Sequence, residues 1–245
     1  MKRKRSRQDA FVPQAFLSIP KELTTEIMAR VAASSPTDYF NAKLSCKFLD
    51  EVAEDDYIYR RMSLGEFSFG LWEIRSEANT FYNTCKKSGN PEVLYSEGVI
   101  QCFNIRSRSV EAGLDCLNKA ANFGHPEASY ILGITFLCNG EEDNGWELVS
   151  RITTRSKLRR CRNKLYNILR TMWLPRRKYV LLQPTHKFCC SLQHQSKKRG
   201  WTAESDDEDE LCKRCMWNRE IYYVCNMLCG VWNCCTFHPS FMVSG

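Results

Sequence analysis

One stretch of this chain occurs twice. Asn90-Pro91-Glu92-Val93-Leu94-Tyr95-Ser96-Glu97-Gly98 aligns with His125-Pro126-Glu127-Ala128-Ser129-Tyr130-Ile131-Leu132-Gly133, and Pro91/Pro126, Glu92/Glu127, Tyr95/Tyr130 and Gly98/Gly133 each pair at a spacing of 35 residues. A fixed period of this length marks stacked helical pairs, because one such pair cannot bury its apolar face alone. Proline suits the first turn of a helix, where its missing N–H costs nothing, and a mid-helix glycine lets a second helix come close. Between the two copies, Glu111 to Ala121 reads as the partner helix, with Leu114, Leu117 and Ala121 on one face. Gly124 ends it as a cap. Asn139-Gly140 and Asn144-Gly145 read as the turn after the second copy, and Trp146-Glu147-Leu148-Val149 as the start of its partner. About one and a half repeats are visible, so neighbouring helices must complete the stack.

The step Ala120-Ala121-Asn122-Phe123-Gly124-His125-Pro126-Glu127-Ala128 resembles the junction of the Sel-like branch of tetratricopeptide-type repeats. The resemblance implies an array of α-α hairpins with a concave surface for protein recognition. His125 falls at a helix start and reads as a turn residue rather than a ligand or a base.

Upstream, residues 17–62 carry a second pattern. Ile19-Pro20 opens a helix, and Leu23, Ile27 and Val31 recur every four residues, so one face is apolar and must pack on something. Ser34-Ser35-Pro36-Thr37-Asp38 breaks the pattern. Tyr39, Phe40 and Leu44 start a second helix whose apolar series continues through Cys46, Phe48, Leu49, Val52 and Ala53, and Asp55-Asp56 stops it. Two or three short helices cannot bury a large core by themselves. The Ile19-Pro20 opening, Glu22-Leu23, Ile27, Asp38, the Leu44-Ser45-Cys46-Lys47 step and the exit at Asp56-Tyr57-Ile58 together resemble an F-box. Phe48-Leu49 stands where many F-boxes place a tryptophan. The resemblance implies docking on a Skp-type adaptor through Ile19, Pro20, Leu23, Ile27, Leu44 and Cys46.

The expected fold is all-α. A basic arm spans residues 1–12, an F-box 13–63, helical repeats 64–178, and a small irregular cysteine-rich region with an acidic linker 179–245. Phe67, Phe69, Leu71, Trp72, Ile74, Phe81 and Tyr82 are expected to pack the F-box against the downstream helices. No apolar stretch is long enough for a transmembrane helix, and the N-terminus has no apolar signal-peptide core.

Net charge is +7, unevenly placed. Lys2-Arg3-Lys4-Arg5-Ser6-Arg7 reads as a nuclear-import signal or a solvated tail, so nucleus and cytoplasm are both expected. Arg151 to Lys178 holds eleven Lys or Arg and no acid. Within it, residues 151–174 form a basic amphipathic helix with Leu158, Cys161, Leu165, Ile168, Leu169 and Met172 as its apolar stripe. Arg155, Arg159, Arg160, Arg162, Lys164 and Arg170 surround that stripe. The helix reads as a cap on the stack with its charged face in water, or as a surface for RNA, a membrane or an acidic protein. Asp206-Asp207-Glu208-Asp209-Glu210 lies downstream, beside Ser205, in a polar linker.

Eight of the fourteen cysteines lie beyond residue 185, with His186, His194 and His238 among them. Without a secretion signal this argues for reduced thiols or metal ligands. Cys212-Lys213-Arg214-Cys215 has the spacing that lets two thiolates reach one Zn²⁺. Cys225 with Cys229 is the preferred second pair. Cys189 or Cys190, and Cys234 or Cys235 with His238, remain alternatives, as do buried free thiols. The arrangement resembles a degenerate form of the small zinc module found at the C-terminus of some plant F-box proteins with Sel-like repeats.

No catalytic constellation is present in the sequence: no phosphate-binding loop, no nucleophile elbow, no His-Glu-x-x-His. The chain reads as a binding adaptor and not an enzyme. It is expected to be the substrate-recognition subunit of a cullin ubiquitin ligase, binding a Skp-type adaptor and a protein substrate, with no membrane partner and with nucleic acid disfavoured. The alternatives are a nuclear zinc-dependent nucleic-acid-binding protein and an F-box scaffold outside any ligase. No cofactor is expected beyond a structural Zn²⁺.

Overall fold

The computed structural model describes residues 19–64, 76–103, 109–171 and 213–228. Their regular elements are all helices: α1 (Lys21–Ser34), α2 (Pro36–Ser45), α3 (Lys47–Ala53), α4 (Asp56–Arg61), α5 (Ser76–Lys87), α6 (Pro91–Phe103), α7 (Val110–Asn122), α8 (Pro126–Cys138), α9 (Glu142–Ser150), α10 (Arg155–Thr171) and α11 (Lys213–Leu228). The all-α expectation therefore holds. Among the described residues no helix is long and apolar enough to cross a membrane. The chain divides into two compact units, Met1–Ser96 and Glu97–Gly245, with the division inside α6.

In the first unit, Met28, Ala29 and Ala32 of α1 pack with Tyr39, Val52, Ala53, Ile58, Tyr59 and Met62. The same core takes in Leu64, Cys85 and Val93, with Phe81 and Tyr82 half-buried against it. The compact unit thus runs past residue 63, where the sequence pattern placed a boundary. Of the aromatic stretch expected to serve as packing, Phe81 does so: its ring meets Phe40 at 5.5 Å and Tyr59 at 6.2 Å. Phe67, Phe69, Leu71, Trp72 and Ile74 lie outside the described residues.

The single second helix read from Tyr39 to Ala53 is broken in two. Cys46 is extended (φ −157°, ψ 160°) between α2 and α3. Ser45 bonds its hydroxyl to the Ala42 carbonyl at 2.7 Å, the kind of local bond through which serine competes with helix continuation. The series does end where Asp55-Asp56 was expected to stop it: α3 finishes at Ala53, and the Asp55 carboxylate accepts the Tyr57 N–H at 2.9 Å as the cap of α4.

The 35-residue period is reproduced in the helices. α6 and α8 are thirteen residues each and begin at the paired prolines. Gly89 (φ 75°) and Gly124 (φ 79°) precede them in the left-handed conformation, which costs other residues about 1–2 kcal/mol. Asn90 Oδ1 then accepts the Glu92 and Val93 N–H groups at 2.9 and 3.4 Å. His125 Nδ1 accepts the Ala128 N–H at 3.2 Å, which makes this histidine a helix-start residue.

In the second unit, α8 is buried nearly all round from Glu127 to Cys138, with Phe136 alone half-exposed. A helix apolar on every side needs cover on every side, and α7, α9, α10 and α11 all pack on it. The paired glycines set how close the cover comes. A methyl on Gly98 would lie 2.6 Å from Leu117 Cγ and 2.9 Å from the Gly113 carbonyl oxygen. A methyl on Gly133 would lie 2.6 Å from Val149 Cγ1 and 3.2 Å from the Gly145 carbonyl oxygen. Gly145 is therefore no turn residue. It sits inside α9 against Leu137, whose N would be 3.0 Å from an added methyl, and the turn is made by Asn139-Gly140 with Gly140 at φ 84°.

α10 carries the expected stripe: Leu158, Cys161, Leu165 and Leu169 are buried and Ile168 half-buried. Met172 lies outside the described residues. Within the region expected to be irregular, residues 213–228 form a sixteen-residue helix. Trp217, Ile221, Val224 and Leu228 recur at helical spacing and are buried, so this helix belongs to the repeat unit and packs on α8.

Adding one methyl at Gly133 should force α8 and α9 apart. Gly133→Ala is predicted to lose about 1–3 kcal/mol in urea unfolding, although alanine is the better helix former by about 1 kcal/mol.

Candidate functional site

Helix α1 has two faces. Thr24, Thr25, Met28, Ala29 and Ala32 are buried, whereas Leu23 is 56% exposed and Ile27 51%. Those two lie one turn apart, and Val31 on the next turn is half-buried. Leu44, at the end of α2, is 78% exposed. Pro20 is exposed, and Ile19 and Cys46 are half-buried. Of the six residues expected to meet an adaptor, the structure places three large apolar side chains and Pro20 in solvent and partly covers the other two. Full burial of a leucine or isoleucine gains about 1.5–3 kcal/mol, a gain the isolated unit forgoes at each of these positions.

The face is held rigidly from behind. Tyr39 donates its hydroxyl to the Ala53 carbonyl at 2.7 Å in the core, where burial pushes its phenol far above the usual range. Its ring meets Phe40 at 5.1 Å and Tyr59 at 6.5 Å, edge to face. Glu26 ties α1 to α4, accepting from the Tyr57 hydroxyl at 2.6 Å, Arg30 Nε at 2.8 Å and Arg61 Nη1 at 3.2 Å. The Tyr57 bond, then Arg30, holds its carboxyl below the ordinary value. Lys43 pairs with Glu54 across α2 and the end of α3. The Ser63 N–H donates to the Ala32 carbonyl at 3.1 Å.

Asn90 closes the unit. Fully buried, it donates Nδ2 to the Tyr59 and Met62 carbonyls at 2.8 and 2.9 Å while its Oδ1 caps α6. Sequence reading found Asn90 only as the start of a repeat. The signal available was a polar residue ahead of the helix proline, which implies a cap but not a second set of partners.

A second constellation lies in the repeat unit. Glu220 of α11 is completely buried, and its carboxylate accepts from the Tyr130 hydroxyl at 2.8 Å and Arg162 Nε at 3.0 Å. Arg162 Nη2 pairs with its other oxygen. The Arg162 guanidinium also lies 5.3 Å from the Tyr223 ring centre. Glu127, equally buried, accepts from Arg160 Nε at 2.8 Å, with Lys164 4.0 Å away. The charged residues of α10 thus do not all face water: Arg162 is 4% exposed. Two buried carboxylates recruit cations from this helix because a buried charge is costly unless paired.

Of the expected zinc ligands, Cys215 and Cys225 fall among the described residues. Cys215 and Cys225 sit on one continuous helix ten residues apart, about 15 Å along its axis. Two sulfurs on one Zn²⁺ lie within about 4 Å of each other. Cys225 is buried instead against Cys138 of α8, and the hydrogen bond between them, then burial, pushes its thiol far up. Cys212, Cys229, Cys189, Cys190, Cys234, Cys235, His186, His194 and His238 lie outside the described residues. Among the described residues no three Cys, His, Asp or Glu side chains gather as a metal site.

Two substitutions probe these networks. Asn90→Ala should lower stability by roughly 2–4 kcal/mol through a lost cap and two orphaned carbonyls, and Asn90→Ser, which keeps a capping oxygen, should recover part of it on urea unfolding. Glu220→Ala should cost about 3–5 kcal/mol by leaving Arg162 buried and unpaired, and Glu220→Leu with Arg162→Met should restore most of the melting temperature.

Comparison with known proteins agrees with both halves. The family described as plant tetratrico peptide repeats matches residues 65–170. Three Arabidopsis thaliana proteins named as F-box proteins are similar. One is 32% identical over 164 residues, 64% of this chain and 54% of its own length. A second is 30% identical over 135 residues, 55% of this chain and 81% of its own. A third is 28% identical over 119 residues, 48% of this chain and 31% of its own. The chain thus spans about half the length of the first relative, most of the second and a third of the last. No solved structure matches it. With an F-box relative matched over four-fifths of its length and the repeat family covering α5 to α10, the chain belongs to the plant F-box proteins that carry tetratricopeptide-type helical repeats.

Proposed function

We propose that this protein is the substrate-recognition subunit of a cullin-type ubiquitin ligase. In this reading it docks on a Skp-type adaptor through Leu23, Ile27 and Leu44, with Ile19, Pro20 and Cys46 supporting that surface. The observation that carries the reading is the exposure of three large apolar side chains on a unit whose own core is closed without them. Burying those side chains is what an adaptor would contribute. The rigid backing by Tyr39, Glu26 and Asn90 limits the conformational entropy lost on docking. The repeat unit would then hold the target protein. Ubiquitin transfer itself would belong to other subunits, and this chain would act by bringing the target near them.

Capture of a purified Skp-type adaptor by the full chain tests the proposal. Leu23→Asp and Leu44→Asp should each abolish capture while leaving the melting temperature within a degree or two of wild type, since neither side chain is part of the core. Pro20→Ala should weaken it less. A wild-type chain that captures no adaptor, or capture that ignores both aspartates, would sink the idea.

A further inference from the structure

Helix α11 lies within the compact repeat unit but beyond the repeat family. The family match ends at residue 170, inside α10, and residues 172–212 separate α10 from α11 in sequence. α11 nevertheless packs on α8 and pairs with α10. Its buried side chains are Trp217, Glu220, Ile221, Val224, Cys225 and Leu228. At 100° per residue these six fall within an arc of about 140°. On the far side Tyr222 is exposed, and Cys215, Asn218 and Arg219 are only partly covered. A helix that lays one face into a groove through anchors at i, i+3, i+4 and i+7 is a recurring mode of recognition between proteins.

The seat beneath α11 is built from two helices of the array. Trp217 meets the Tyr130 ring of α8 at 6.2 Å. Cys225, eight residues after Trp217, bonds to Cys138, eight residues after Tyr130. The equal steps mean that α8 and α11 run side by side in the same direction. Between these two contacts Glu220 enters the seat. One of its oxygens accepts from the Tyr130 hydroxyl at 2.8 Å and Arg162 Nε at 3.0 Å, and Arg162 Nη2 takes the other. A forked guanidinium fixes both the place and the direction of a carboxylate. A buried ion pair adds little net stability over an apolar pair of the same size, whereas removing one partner leaves a costly buried charge. The seat therefore discriminates. It accepts an amphipathic helix whose carboxylate falls in register with its apolar anchors, and it penalises one without that carboxylate.

We infer that the seat formed by α8 and α10 is a docking site for an amphipathic helix of a partner protein, and that α11 occupies it as a built-in competitor. The inference rests on the receptor reading in taking the partner helix to be part of the substrate. That helix would share the pattern of α11: an aromatic anchor, a carboxylate three residues later, and aliphatic side chains four and seven residues later. The partner and α11 exclude each other, so the site is open only while α11 is displaced.

The experiment uses the full chain and a synthetic peptide of residues 213–228. In amide hydrogen exchange of the wild-type chain, α11 should open by itself and exchange at least about tenfold faster than α8. An excess of the peptide should speed exchange of the chain's own α11 further, by at least about threefold, because the peptide takes the seat whenever α11 leaves it. A peptide carrying Glu220→Gln should have no such effect. Fluorescence anisotropy of the labelled peptide gives a second readout. Glu220→Gln in the chain weakens the resident helix while keeping its shape, so this variant should bind the peptide at least about tenfold tighter than the wild-type chain does. Exchange of α11 only together with α8 would overturn the inference. So would displacement that ignores Glu220 of the peptide, or equal peptide affinity in the two chains. The exchange measurements need no substitution in the chain, so they decide the matter even where the variant fails to fold. Adaptor capture is read on the same samples. If capture is intact while α11 stays shut, the docking site is wrong and the receptor reading stands. If the wild-type chain captures no adaptor while the peptide displaces α11, the receptor reading is wrong and the docking site stands.

Discussion

The unit Glu97–Gly245 depends on covering one helix. α8 presents Tyr130, Ile131, Leu132, Ile134 and Leu137 on all sides, each essentially inaccessible to water. Burial at roughly 1.5–3 kcal/mol per large apolar side chain rewards every neighbour that packs on it. It also sets the terms on which neighbours arrive. α9 comes as close to it as glycine allows, with Gly145 against Leu137 of α8. α11 brings one buried carboxylate, Glu220, to join Glu127 of α8, and α10 brings the cations that pair with both. The charged interior arises from the apolar one, since Glu127 and Glu220 are desolvated by the same packing that buries Tyr130 and Trp217.

Much of this was legible in the chain itself. The spacing of 35 located two helices whose first and last residues keep that period, because proline and a glycine-led turn punctuate the backbone locally. The same holds for the α1 pattern and for the stripe of α10, where periodicity is strong. What stayed hidden depends on partners distant in sequence. Gly145 looks like a turn beside Asn144 until Leu137 is placed against it. Arg162 looks like one more solvated cation until Glu220, 58 residues on, is placed beneath it. α11 was obscured by its cysteines: the Trp217-Ile221-Val224-Leu228 spacing was present, but C-x-x-C drew the reading toward metal. The break at Cys46 turns on a choice between a serine hydroxyl and a backbone amide, too close in energy for pattern to decide.

The F-box unit illustrates a different relation between stability and exposure. Leu23, Ile27 and Leu44 are apolar without being structural. The unit closes through Met28, Tyr39, Ile58 and Met62 and through polar ties from Glu26 and Asn90. Hydrophobicity in its sequence therefore marks two separate surfaces, the closed core and an exposed face. Helical phase on α1 separates them: Thr24, Met28 and Ala32 fall on one side, Leu23 and Ile27 on the other.

Asn90 joins two helix ends that sequence places nearly thirty residues apart. Its amide holds the carbonyls at the end of α4 and its oxygen holds the amides at the start of α6. Neither end can fray without releasing the other, so the two turns form one cooperative element despite belonging to different motifs. Drift in the F-box exit is thereby tethered to drift in the first repeat. The two segments are expected to travel as a pair when such genes recombine.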